Sequence, residues 1–66
     1  MSLRIETARE GDGRWIAEVV DLPGVMVYGP DRESAINGVK ELARRVIEDR
    51  REHGEPAPDP VFRVVA

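Results

Sequence analysis

Sixty-six residues, with ten lysines and arginines against thirteen aspartates and glutamates, give a net charge of −3 and include no cysteine. Disulfides and thiolate metal sites are therefore excluded, and the lone histidine, His53, builds no metal site without carboxylates converging on it. A mildly acidic chain also lacks the broadly basic surface on which most nucleic-acid binding depends.

Leu3, Ile5 and Thr7 alternate with Arg4, Glu6 and Ala8, the period of a half-buried strand. "EGDG", Glu10 to Gly13, is a turn signal, and "RWIAEVV", Arg14 to Val20, is rich in β-formers, so the first two strands make a hairpin. In Leu22-Pro23-Gly24-Val25, proline presets φ for the second turn position and glycine supplies positive φ at the third, which predicts a type II turn. Val25 to Tyr28 then forms a third strand and closes an antiparallel meander. Gly29 and Pro30 end it, and Asp31 is placed to cap a helix by accepting from the amide of Glu33 or Ser34. Ala35, Ile36, Val39, Leu42, Ala43, Val46 and Ile47 recur at helical spacing, and the helix runs to about His53 with Gly54 as its stop. Gly38 weakens that helix by ~1 kcal/mol relative to alanine, which a close approach to the sheet would explain. "EPAPDP", Glu55 to Pro60, reads as an extended linker, and Val61 to Val65 as a short fourth strand.

The expected fold is α+β, in the order β-β-β-α-β: a three-stranded antiparallel meander plus a short fourth strand, with one helix on one face. One domain spans residues 1–66. A domain this small buries only ~60% of its unfolded surface, so tight packing or association with another chain has to support it. No apolar run reaches membrane-spanning length and "MSLRIETARE" lacks the apolar core of a signal peptide, so a soluble, cytoplasmic protein without membrane contact is expected.

If charged residues mark the side away from the helix, Arg4, Glu6, Glu18 and Arg63 lie on the open face. Alternation then sends Leu3, Ile5, Trp15, Ala17, Val19, Phe62 and Val64 under the helix. The same rule leaves Ile16, Val20, Val61 and Val65 on the open face, joined by Met26 and Tyr28 if Val25 and Val27 point inward. Single exposed hydrophobes are ordinary, but a contiguous patch marks an interface. Ile16, Val20, Met26 and Tyr28 are accordingly the candidate partner or oligomer surface, and a homo-oligomer, dimer or tetramer, is expected.

No catalytic constellation emerges. Ser34 sits in the first turn of the helix and His53 near its far end, so no nucleophile meets a base. Glu18 and Asp21 are close in sequence but lie on a strand and its turn, which favours solvated carboxylates over a metal pair. Arg44, Arg45, Arg50 and Arg51 are interleaved with Glu41, Glu48, Asp49 and Glu52, the pattern of an ion-paired helix face. The expectation is a non-enzymatic chain without catalytic residues, cofactor or metal. A small RNA-binding protein using the arginine-bearing helix end is the alternative, and a degenerate nuclease the third reading.

"WIAEVVDLPGVMVYGPDRESAINGVKELA" resembles the HicB-like antitoxin family. The resemblance rests on an ordered series: Trp15, Ala17, Glu18, Asp21, Leu22, Pro23, Gly24, Gly29 and Ala35, with Asp31 as the cap. Arg32 stands where the family often has an apolar residue, and Val25 where it often has cysteine. The resemblance implies a partial RNase H-like fold without ribonuclease H chemistry. It also implies a partner, HicA, a small basic toxin that cleaves mRNA. Many members add a C-terminal DNA-binding domain. This chain stops at Ala66, after the fourth strand, so autonomous DNA binding is not expected.

Overall fold

A computed structural model of the chain describes residues 2–55 and 59–65. Its elements are β1 (Ser2–Arg9), β2 (Trp15–Val19), β3 (Met26–Gly29), α1 (Arg32–Glu52) and β4 (Val61–Val64), the expected β-β-β-α-β order. The four strands form one sheet in the order β3-β2-β1-β4. β1 to β3 make the antiparallel meander, whereas β4 pairs parallel to β1, with Ser2 opposite Val61 and Ile5 opposite Val64. A parallel partner needs a crossover connection. The α1 segment supplies it, carrying the chain from one edge strand to the other.

Two turns build the meander. In the first, Gly13 N–H donates to the Glu10 carbonyl at 3.0 Å and Glu10 N–H donates to Arg14 at 2.7 Å, closing a tight hairpin loop. In the second, Val25 N–H donates to the Leu22 carbonyl at 3.1 Å, and Gly24 has φ +83°, as a type II turn demands of its third residue. Leu22 and Val25, on either side of Pro23-Gly24, are both buried and seal one end of the core.

α1 begins where Asp31, itself extended, accepts the Ser34 amide at 2.7 Å. It ends in a Schellman arrangement: Glu55 N–H donates to Arg50 and Gly54 N–H to Arg51, each at 3.0 Å, satisfying carbonyls that the last turn leaves open. Ala35, Ile36, Val39, Ala43 and Ile47 are buried against Leu3, Ile5, Ala17 and Val19, with Trp15, Val27, Leu42, Val46 and Phe62 packed around them. Two glycines let α1 come this close. A Cβ on Gly29 would lie 2.7 Å from the backbone nitrogen of Ala35, and one on Gly38 would lie 2.9 Å from Val27 Cγ1. The close approach expected at Gly38 is thus present.

Element ends differ slightly from expectation: β2 omits Arg14 and Val20, β3 runs from Met26 to Gly29, and α1 stops at Glu52 with His53 as its C-cap. The linker's Pro56, Ala57 and Pro58 lie outside the described residues. One inward position departs in substance. Val64 shares a register pair with the fully buried Ile5, yet it remains 39% exposed. The reason is lateral: α1 lies over β3, β2 and part of β1, and does not extend across β4. At that edge Arg44 does part of the covering, its guanidinium carbon 5.3 Å from the centre of the Phe62 ring.

Candidate interaction surface

The sheet face opposite α1 is bare. Its composition follows from strand alternation, and its layout from the register. Tyr28, Ile16 and Ala8 form one row across β3, β2 and β1; Met26, Glu18 and Glu6 form the next. Below them Val20, whose N–H donates to the Arg4 carbonyl at 2.9 Å, leads to Arg4 and then to Arg63 on β4. Ile16 is half-buried by its neighbours, Val20 is exposed, and Met26 and Tyr28 are 43% and 50% exposed. The four residues singled out from the sequence therefore sit together on this face, and Val61 and Val65 add exposed apolar surface at its β4 margin.

Charged groups frame the patch. Arg14 lies over the Tyr28 ring, 4.7 Å from its centre, and holds the phenol side of the patch. At the other end Asp21 accepts three hydrogen bonds from Arg4: its Oδ2 takes the backbone N–H at 2.9 Å and the guanidinium Nε–H at 3.5 Å, and its Oδ1 takes Nη2 at 3.0 Å. This carboxylate takes over from the β1–β2 ladder just where the chain leaves β2 for the Leu22–Val25 turn. Hydrogen bonding to the Arg4 side chain, then to its backbone, holds the Asp21 carboxyl below the usual carboxylate range. Asp21, expected as a solvated carboxylate, is therefore a structural ion-pair partner, although it remains exposed.

Glu6 and Glu18 face each other directly across β1 and β2. Like charges in that relation repel, and among the described residues neither carboxylate forms an ion pair. Sequence reading put both on this face together with Arg4 and Arg63, but the pairing that aligns them needed the register. Among the described residues no group of three or more histidine, aspartate or glutamate side chains converges.

The arginine-bearing end of α1 is largely engaged within the chain. Arg45 pairs with Glu41 at 2.9 Å, Arg51 with Asp59 at 2.8 Å, and Arg44 covers Phe62. Beside them a shallow groove of about 300 Å³ is lined by Arg44, Ile47, Glu48, Arg51, Asp59 and Pro60. The Arg51–Asp59 pair ties the helix end to the start of β4 along it. Among the described residues no helix is long and apolar enough to cross a membrane.

The chain is similar to the UPF0150 protein Ta0767 of Thermoplasma acidophilum, with 29% identity over 58 residues covering 88% of this chain and 84% of that protein. No family model and no solved structure matches it.

Proposed function

We propose that the chain is a non-enzymatic protein-interaction module of the HicB-like antitoxin type, acting in the cytoplasm. It would bind and neutralise a small basic partner of the HicA class, an mRNA-cleaving toxin. The observation that carries this reading is the uncovered sheet face, on which Ile16, Val20, Met26 and Tyr28 form a shared apolar surface framed by charge. A surface of this kind on so small a domain is built for contact with another chain. The ordered series from Trp15 to Ala35 and the likeness to a UPF0150 protein, a HicB-like group, support the family side of the reading. The chain's acidic balance suits a basic partner.

The test is co-expression with the adjacent open reading frame, followed by affinity capture and a growth-rescue assay. A short basic neighbour that is toxic alone, is captured by this chain and is silenced by it supports the assignment. A neighbour that is neither bound nor silenced overturns it. Salt-sensitive RNA binding that disappears when Arg44, Arg45, Arg50 and Arg51 are replaced would instead establish the RNA-binding alternative.

A further inference from the structure

We propose that the outer edge of β4 docks an extended, acidic segment of another protein, which joins the sheet as an added antiparallel strand. The site is separate from the apolar patch of Ile16, Val20, Met26 and Tyr28, since β4 and β3 are opposite margins of the sheet.

The main chain makes the edge available. Val65 N–H donates to the Ile5 carbonyl at 2.9 Å, so Val65 is turned toward β1. Successive residues of a strand direct their peptide groups to opposite sides. Arg63 and Val61 therefore also face β1, while Phe62 and Val64 turn N–H and C=O outward. Among the described residues no strand lies beyond β4. The side chains are open as well, with Val61 64% and Val64 39% exposed. Strand addition draws its affinity from outward main-chain groups of this kind.

Charge selects the occupant. On the open side of the sheet Arg63 stands opposite Arg4 of β1, and Arg4 is already held by Asp21 at 3.0 Å. Like charges in that relation repel, and among the described residues Arg63 forms no ion pair. On the helix side Arg44 lies over Phe62 and pairs with no described carboxylate. Both sides of the edge thus carry an uncompensated cation. A second copy is a poor occupant, because antiparallel pairing of two β4 strands about Arg63 sets that arginine against its own symmetry mate.

A carboxylate meets the need. In an antiparallel addition centred on Arg63, Phe62 and Val64 exchange main-chain hydrogen bonds with the new strand. The residue facing Arg63 then falls in the non-hydrogen-bonded pair, where side chains approach most closely. An acidic residue there meets the guanidinium directly. Its two neighbours turn to the helix side and extend the apolar surface of Phe62 and Val64, beside the groove that Ile47 and Pro60 line. The segment recognised therefore reads apolar, acidic, apolar.

The probes are two acetylated, amidated peptides, Ser-Thr-Val-Glu-Val-Thr-Ser and its counterpart with lysine in place of glutamate. Each is titrated into the isotope-labelled whole chain and followed by amide NMR. A short strand loses much of its binding energy to ordering, so both bind weakly and the ratio between them is the readout. Shifts centred on Phe62 to Val64 are expected, with the glutamate peptide bound roughly five- to tenfold more tightly. Arg63→Glu should reverse the preference. Arg63→Gln should leave the two peptides within about twofold of each other, and circular dichroism establishes that each variant is folded. Shifts centred on Met26–Gly29 or on Ile16, no shift at millimolar peptide, or a preference untouched by both substitutions overturns the proposal. So does strong exchange protection of the Phe62 and Val64 amides in the peptide-free chain, because the edge is then already taken. None of these outcomes bears on capture of the basic neighbour, which remains the separate test of the antitoxin assignment.

Discussion

Gly29 and Gly38 both face α1 closely, but through different neighbours, and that difference decides the cost of a methyl group. At Gly29 the neighbour is the backbone of Ala35, the buried first-turn residue whose own N–H bonds the Asp31 carbonyl. Backbone cannot step aside without moving the cap, so Gly29→Ala should destabilise by about 1–3 kcal/mol. At Gly38 the neighbour is a single methyl of Val27, which is only half-buried. Alanine regains ~1 kcal/mol of helix propensity there, so Gly38→Ala should fall within about 1 kcal/mol of the parent. Urea unfolding followed by Trp15 fluorescence distinguishes the two. The weak helix position at Gly38 was legible in the sequence because glycine inside a helical pattern calls for a reason. The constraint at Gly29 was not, since a glycine ending a strand looks like ordinary punctuation. Asp21 was hidden for another reason: its partner Arg4 lies 17 residues earlier, and only the β1–β2 register brings them together. Its acidity follows. The Asp21 carboxyl lies below its unfolded value, so its contribution is present above about pH 4 and is lost as pH falls through the lower folded value. Thermal melts between neutral and acid pH should therefore show less acid sensitivity in Asp21→Asn, which starts from a lower midpoint at neutral pH.

Among the elements, α1 was the most legible, because cap, apolar spacing and stop all point to the same segment. Its packing is uneven along its length. Ile47 is the last buried residue, 1% exposed, and beyond it the helix carries charged side chains in contact with Arg51 and Asp59 instead of a core. Ile47 therefore anchors the far half of the helix. Ile47→Ala should cost about 2–5 kcal/mol, a large share of the roughly 3–10 kcal/mol available to a domain of this size. Hydrogen exchange should show the loss concentrated after Val46, while amides near Ala35 keep more protection. β4 was the element least determined by sequence. Its alternation put Phe62 and Val64 on the helix side of the sheet, but Val64 is not covered as expected, because nothing in "VFRVV" specifies a parallel partner or sets the strand at the margin of the helix. Val64 is exposed because of that lateral position, not because of its own identity.

For the whole molecule, one-sided coverage is the governing fact. A single helix laid on a four-stranded sheet leaves one face and one edge unfinished. Strand alternation was enough to foresee which residues would occupy the bare face, since a period of two assigns sides without any knowledge of partners. The rows of charge on that face depend on how three pairings align, and this is long-range information that local pattern does not hold. The principal extents of 41 × 18 × 17 Å reflect the same design, with a helix of about 30 Å overhanging a short sheet. The pairing of β1 with β4 has a temporal side as well. β1 is the first of these five elements in the chain, but its second neighbour is the last, so this interior strand waits for nearly all of the intervening chain before both its sides are satisfied. Long-range pairing of this sort is entropically slow. A nascent chain therefore leaves one side of β1 unpaired until β4 arrives, well after β2 has covered the other.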